Sequence, residues 1–454
     1  LPGSSIHEVY EVTKEEYARL AEQIADMQKE RRRALAGTGN AVTIFNTAGK
    51  NRDDIVELDA LDGNALLDGD GNMYPVQRTK DGCVAYVKNL PSKGYRSFVI
   101  TKTSEAKMPF TLNGTYELET PFYTVKLDEQ GMFTGIFDKE NDREIIQAGE
   151  RANLLRMYED KPIYFDNWDI DIYYTEKYWD VEEVERMEWT EMGAVRVVLE
   201  IDRKASNSTI RQKIIFYAES RRIDFVTYVD WKEHQTLLKV HFPAAVHTDE
   251  AAFDVQFGNL TRKTHRNTSW DVARFESCGQ KWMDLSEGHY GVSLLNDCKY
   301  GHSVKDSNMA LTLIKSGTEP NPTSDQEEHV FTYALYPHAE GWRAAGTVQE
   351  AYKLNQPLTA EIGTKSGLNY SFASVAHANV VLETVKKAED GNGIILRLYE
   401  SENAYTKTKL IVNTSFEKAY MCNLLEEIEG EAVSEGNAVD VVLKPYEIVT
   451  VLLR

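Results

Sequence analysis

The stretch 157–178, MYEDKPIYFDNWDIDIYYTEKY, interleaves aromatic side chains with carboxylates. That mixture suits a sugar, because aromatic faces stack on pyranose C–H groups and carboxylates accept hydrogen bonds from hydroxyls. Asp166, Asp169 and Asp171, with Trp168 among them, are the candidate contacts. Paired acids so close together could also serve glycoside hydrolysis as acid and nucleophile. The plainer reading is an exposed acidic hairpin whose aromatics pin it to a core. A second cluster lies within 264–282 and contains His265, Asn267, Trp270, Asp271, Arg274 and Trp282. An arginine beside an aspartate and aromatics fits a sugar-binding surface or a buried structural pair. Asn296, Asp297, Tyr300 and Gly301 read as a turn after an apolar strand, and His338 as a structural histidine at a strand end.

Other chemistries are poorly served. The ten histidines form no HxxxH, HxH or DxH cluster. Cys83, Cys278, Cys298 and Cys422 are far apart and form no CxxC pair, so they read as reduced thiols of a cytoplasmic protein. No GxSxG elbow, P-loop or GxGxxG fingerprint stands out. A net charge of −21 opposes nucleic acid or an anionic membrane as partner. There is no apolar run of 18 residues to span a bilayer. Asn-x-Ser/Thr sequons at Asn113, Asn207, Asn259, Asn267, Asn369 and Asn413 read as chance matches.

The elements that must position these side chains begin with a helix. Ser5 and Glu8 fit a capping box. Ile6, Tyr10, Thr13, Tyr17, Leu20, Ile24 and Met27 then recur at helical spacing on one face. Lys29 to Arg33 supplies a basic last turn, and Gly37 and Gly39 end the helix. Such a stripe needs a surface to bury against, and no partner is evident in the rest of the chain. After residue 39 the pattern becomes short strands with turn signals: 42–45, 55–58, 84–87 and 97–101, then longer strands such as the hairpin 195–201 with 210–217. The expected fold is mainly β, a set of β-sandwiches preceded by one helix. The expected boundaries are 1–38 for the helix, 39–105 for a small sandwich, 106–375 for a large central sandwich and 376–454 for a terminal small sandwich.

Several blocks resemble glycoside hydrolase family 38 α-mannosidases of the bacterial and cytosolic branch. They are Leu1-Pro-Gly-Ser-Ser-Ile6, Ile44-Phe-Asn-Thr47, Tyr164-Phe-Asp-Asn-Trp-Asp-Ile-Asp171, Phe253-Asp-Val-Gln-Phe-Gly258 and the run Thr264–Phe275. Lys281–Glu287, Leu294–Gly301, Phe331–His338, Val381–Lys386 and Leu396–Glu400 continue the resemblance in order. It implies an architecture of α/β barrel, three-helix bundle and β-sandwich domains, of which this chain is the C-terminal portion. The opening helix would then be the last helix of the bundle, and 106–375 a supersandwich-like domain.

The resemblance also implies retaining hydrolysis of terminal α-mannosyl residues through an aspartate nucleophile and a second carboxylate, with a zinc ion binding sugar hydroxyls. None of those catalytic residues or zinc ligands falls on this sequence, so the chain alone is expected to be inactive and to hold no zinc. Its expected partners are a mannose-containing oligosaccharide and an N-terminal catalytic barrel, with no nucleic acid or membrane; homo-oligomerisation stays open. The expected substrate contacts are Asp166, Trp168, Asp169, Asp171, His265, Asn267, Trp270 and Arg274. The competing reading is a stand-alone carbohydrate-binding or scaffold β-protein.

Overall fold

In a computed structural model, residues 4–104 and 106–454 are described. The Leu1-Pro2-Gly3 start of the first resembling block lies outside them. Strands dominate, and the described residues divide into two compact units: 4–28, 107–253 and 261–345 form one, and 29–104, 106, 254–260 and 346–454 the other.

The helix is His7–Ala36, 30 residues long. The N–H of Gly37, at φ 63°, donates to the Arg33 carbonyl at 2.9 Å and closes it. At the other end the Ser5 N–H donates to the Tyr10 hydroxyl at 2.9 Å, where a capping box would have used Glu8. The apolar stripe stays open to solvent, with Tyr17 69%, Ile24 53% and Met27 60% exposed.

The first unit holds three antiparallel sheets. The five-stranded sheet runs Arg143–Glu144, Phe133–Asp138, Tyr123–Leu127, Glu117–Glu119 and Thr111–Leu112. The nine-stranded sheet contains the expected hairpin, Arg196–Ala205 with Ser208–Tyr217, closed at the pair Ala205–Ser208. Next to it run Ile223–Asp230 and then Glu328–Ala339. The six-stranded sheet has the order Tyr178–Asp180, Leu154–Glu159, Thr236–Pro243, Asn308–Ser316, Gly301–Lys305 and Ser277–Cys278.

One core is shared by all three sheets of this unit. Val125 and Ile136 come from the first, Ile214, Phe225 and Tyr333 from the second, and Leu238, Val240 and Phe242 from the third. Phe225 stacks on Tyr333 at 4.9 Å and meets Phe133 edge-on at 5.9 Å. Inside this core Tyr333, Asn153 and Gln212 close a ring of hydrogen bonds, each 2.7 Å, so no polar atom of the ring is stranded.

The second unit contains an eight-stranded sheet and a terminal pair of sheets with four and five strands. In the eight-stranded sheet, Ala41–Asn46 lies between Gly94–Thr101 and Thr359–Thr364. Asn369–Ser371 also pairs with Gly94–Thr101. These two strands fall within the stretch read from sequence as central sandwich, yet they hydrogen-bond some 270–320 residues back along the chain. A short strand carries its side-chain alternation but no label for its partner.

Gly94 is what permits this pairing. A Cβ there would sit 2.0 Å from the Tyr370 carbonyl oxygen and 2.9 Å from its carbon. Gly94→Ala is therefore expected to lower stability by about 1–3 kcal/mol, the usual cost of overpacking. The check is equilibrium urea denaturation, with hydrogen exchange of the 369–371 amides expected to accelerate most.

Candidate functional site

Strand Thr236–Pro243 is buried along nearly its whole length, and its alternation sorts its side chains. Leu238, Val240 and Phe242 enter the shared core. Leu237, Lys239 and His241 face the other way and meet Tyr158 and Tyr174 under the two aromatic-acidic segments. Fully buried Lys239 donates to Ser303 Oγ at 2.8 Å and Tyr174 Oη at 3.3 Å, and it forms an ion pair with Glu276. The Tyr174 hydroxyl donates to Glu276 Oε1 at 2.5 Å, and its ring lies 6.4 Å from Phe275. The segments 157–178 and 264–282, far apart in sequence, are thereby joined.

Burial pushes the Lys239 ammonium below its ordinary value, and Glu276 opposes that shift. Burial also drives the Tyr174 hydroxyl well up, with Glu276 adding to the effect. His241 is bonded to the Tyr158 hydroxyl at 2.9 Å and the Asn308 amide at 3.1 Å. Burial, then the charges of Lys239 and Arg156, push it down to about 3, so the imidazole stays neutral near pH 7. This network ties the two segments to the sheet through buried hydrogen bonds.

Above it sits the loop 160–171. Asp166 is buried. Its carboxylate accepts from the Thr318 hydroxyl (2.7 Å), the Thr318 N–H (2.8 Å), the Glu319 N–H (2.9 Å) and the Gln235 amide (3.4 Å). Burial alone would raise this carboxyl, but the hydrogen bonds outweigh it and hold it below the usual carboxylate value. Its main-chain oxygen accepts from Lys315, which also pairs with Asp160. Gly317 allows the close fit, since a Cβ there would come within 2.5 Å of Asn167 Oδ1 and 2.9 Å of Asp166 Oδ1.

Asp166 therefore anchors the loop: Oδ2 takes three of these bonds and Oδ1 one. Asp171 accepts the Ile163 N–H at 3.0 Å, and exposed Asp169 accepts the Ile170 N–H at 2.9 Å. What the loop presents outward is aromatic. Trp168 is stacked on Phe165 at 5.2 Å and 25°, and both are about half exposed, 47% and 57%. Phe165 holds φ at 53°, a costly backbone for an aromatic residue, kept in place by Trp168 and Asp169 N–H bonds to its carbonyl at 2.7 and 2.9 Å.

In the second segment Thr268 and Asp271 form a capping box on the short helix Ser269–Val272. His265 Nδ1 lies 3.5 Å from Asp271 Oδ2 and accepts weakly from the Asn267 N–H at 3.4 Å. Trp270 is 75% exposed, and Arg274 is exposed where a buried pair was one of the readings. Trp282 is buried against Trp342 at 4.9 Å. His338 bonds Asp284 at 2.8 Å inside the sheet, and Asn296 and Asp297 hold the turn to Gln280 and Thr332, as structural residues do.

Sequence reasoning passed over Lys239, His241, Tyr158 and Glu276. The signal for the first two was available: in LLKVHFP a lysine and a histidine occupy alternate places of an otherwise apolar strand.

Among the described residues the one group of three potential metal ligands is Asp325, Glu327 and His329. Glu327 is ion-paired with Lys14, and His329 Nε2 is bonded to the Asp325 carbonyl at 2.8 Å, so two of the three donors are engaged otherwise. Among the described residues no helix is long and apolar enough to cross a membrane.

The first unit thus sets an aromatic-faced loop beside three antiparallel sheets that share one core. The "Glycosyl hydrolases family 38 C-terminal domain" matches residues 118–323, and the "Glycosyl hydrolases family 38 C-terminal beta sandwich domain" matches 379–451. Human "Alpha-mannosidase 2C1" is 36% identical over 357 residues, 75% of this chain and 34% of that protein. "Alpha-mannosidase G" of Dictyostelium discoideum is 32% identical over 402 residues, 83% of this chain and 37% of that protein. A solved structure of an alpha-mannosidase from Enterococcus faecalis V583 shares the fold, with a TM-score of 0.80 at 18% identity over 99% of this chain and 61% of that one. The chain belongs to glycoside hydrolase family 38 and matches the C-terminal portion of its α-mannosidases. It spans about a third of the length of the two curated relatives.

Proposed function

We propose that this chain is the β region of a retaining, zinc-dependent exo-α-mannosidase that removes terminal α-mannosyl residues from oligosaccharides, and that alone it hydrolyses nothing. The state of its carboxylates carries this reading. Asp166 is buried and spends four hydrogen bonds on fixing residues 317–319 and Gln235, and Asp171 ties down the Ile163 N–H, so both act as loop anchors in this reading. Nucleophile, acid/base and zinc ligands are therefore assigned to a separate catalytic segment, for which the exposed stripe of helix His7–Ala36 offers a docking face.

The names of the relatives support mannose as the sugar. Trp168 is the residue placed to stack on it, with Trp270, His265, Asn267, Asp169 and Arg274 as further wall. The four free thiols, two of them buried, suit the cytoplasm. A stand-alone carbohydrate-binding protein is the second reading, favoured by the same stacked and exposed Phe165–Trp168 pair.

The experiment is an aryl α-mannoside assay with added zinc. The purified chain is expected to show no turnover, and the chain joined to the catalytic segment is expected to be active. In that active form Trp168→Ala should lower kcat/KM about tenfold, equal to about 1.4 kcal/mol of lost stacking. Turnover by the 454-residue chain itself would overturn the proposal. Saturable binding of a mannose oligosaccharide without restoration by the catalytic segment would favour the second reading.

A further inference from the structure

A cavity of about 340 Å³ lies wholly within the second unit, in the range of small-molecule sites. The turn 48–53, strand Cys83–Leu90, helix Thr347–Asn355 and strand Val380–Lys387 each contribute to its lining. No step proposed above uses it. Two half-buried ammonium groups belong to it. Lys50 Nζ donates to the carbonyls of Val375, at 3.2 Å, and His377; Lys93 Nζ donates to the Glu383 carbonyl at 2.8 Å. All these acceptors are neutral, and neither lysine forms an ion pair among the described residues.

An ammonium carries three donors, so Lys50 keeps one unused and Lys93 two. Partly desolvated positive charge without a carboxylate is costly. Burial accordingly pushes Lys50 down to about 8, against the opposing charge of Glu402, and lowers Lys93, against that of Glu383.

The remaining charges of the lining are already engaged. Arg52 bonds the Gln356 carbonyl at 2.7 Å and lies 3.5 Å from Asp54; Lys353 pairs with Glu350 at 2.5 Å. The Glu383 carboxylate accepts from the Tyr352 hydroxyl at 2.7 Å, and that of Asp53 from the Asn89 N–H at 2.8 Å. The cavity thus gathers four basic and two acidic side chains, in a protein whose net charge is −21. Alongside the cations stands a buried acceptor, Gln356 Oε1, that has no hydrogen-bond partner. Val348 and Leu382 add apolar wall.

We propose that this cavity binds a small anionic sugar, a hexose carrying one phosphate or carboxylate group. Lys50 and Lys93 take the anion, Gln356 Oε1 accepts a ring hydroxyl, and the apolar wall packs on the C–H face. Spare cationic donors select the charge, and the orphan acceptor selects a hydroxylated ligand over a bare anion.

The test is isothermal titration of the full chain at fixed ionic strength with glucose 6-phosphate, glucuronate, inorganic phosphate and glucose. One anionic sugar at least is expected to bind saturably at one site, and which of the two does so identifies the anionic group. Inorganic phosphate should bind at least tenfold more weakly and glucose not at all. Lys50→Gln and Lys93→Gln should each weaken the anionic sugar at least tenfold. Neither should lower the ligand-free melting temperature, because each removes an unpaired charge. As a measurement on the unmutated chain, amine acylation followed by mass spectrometry should show Lys50 and Lys93 protected by the anionic sugar at least fivefold, and exposed Lys102 unaffected. No saturable binding, unchanged affinity in both variants, or no protection of the two lysines would overturn the site. Glucose or phosphate binding as tightly as the anionic sugar would overturn the assigned ligand class.

Discussion

Lys239→Ala is expected to destabilise its unit by about 3–5 kcal/mol, the cost of breaking a buried ion pair from one side. Lys239 is fully buried, and its ammonium is the common partner of Glu276, Ser303 and Tyr174. Removing it leaves the Glu276 carboxylate, only 12% exposed, without its counter-charge. The loss is dominated by that stranded charge and not by the net strength of the pair. Lys239→Met combined with Glu276→Leu should therefore recover at least half of it. Urea denaturation of Lys239→Ala and of the double variant checks the claim. A single-variant loss below about 1 kcal/mol would show that water reaches Glu276 and that the pair does not couple the two segments. Because Tyr174 and Phe275 meet at this point, the fluorescence of Trp168 and Trp270 should shift in the same variant.

Asp166→Ala is expected to cost about 3 kcal/mol, since it strips a charged acceptor from the Thr318 and Glu319 N–H groups at once. Proteolysis within the loop 160–171 should accelerate, as the loop loses its anchor to residues 317–319. The pH dependence has a definite sign. Asp166 is held below its ordinary 3.8 in the folded chain, so the folded state binds its proton less readily than the unfolded one. Its contribution is complete above the unfolded value and is lost as pH falls through the folded value. The stability gap between the unmutated chain and Asp166→Asn should thus be constant above about pH 5 and shrink below about pH 4. A gap independent of pH down to pH 2 would show that the carboxylate charge is not what the loop uses.

The two variants also separate anchoring from contact. If Asp166 faced the sugar, its loss would weaken ligand binding while leaving the loop intact. The structure predicts the reverse order: the loop loosens first, and the Phe165–Trp168 stack is lost with it.

Much of this molecule could be read without coordinates, because its signals are local. Alternating apolar residues and turn dipeptides marked the hairpin Arg196–Ala205 with Ser208–Tyr217, and spacing by three and four marked helix His7–Ala36. The blocks around Tyr164–Asp171 and Thr264–Phe275 carried the family itself. Local signals stop where partners are distant. Nothing in Thr359–Thr364 announces that it will pair with Ala41–Asn46, because backbone hydrogen bonds are the same for any partner and the choice is made by packing of the whole sheet.

The candidate surface shows the same division. Sequence determined which residue types gather in the segment 157–178: carboxylates and aromatics suited to a sugar. It could not say which of them face outward. Only the tertiary structure turned Asp166 inward onto Thr318 and Glu319 and turned Trp168 out, because a buried carboxylate must find donors and those donors lie some 150 residues away.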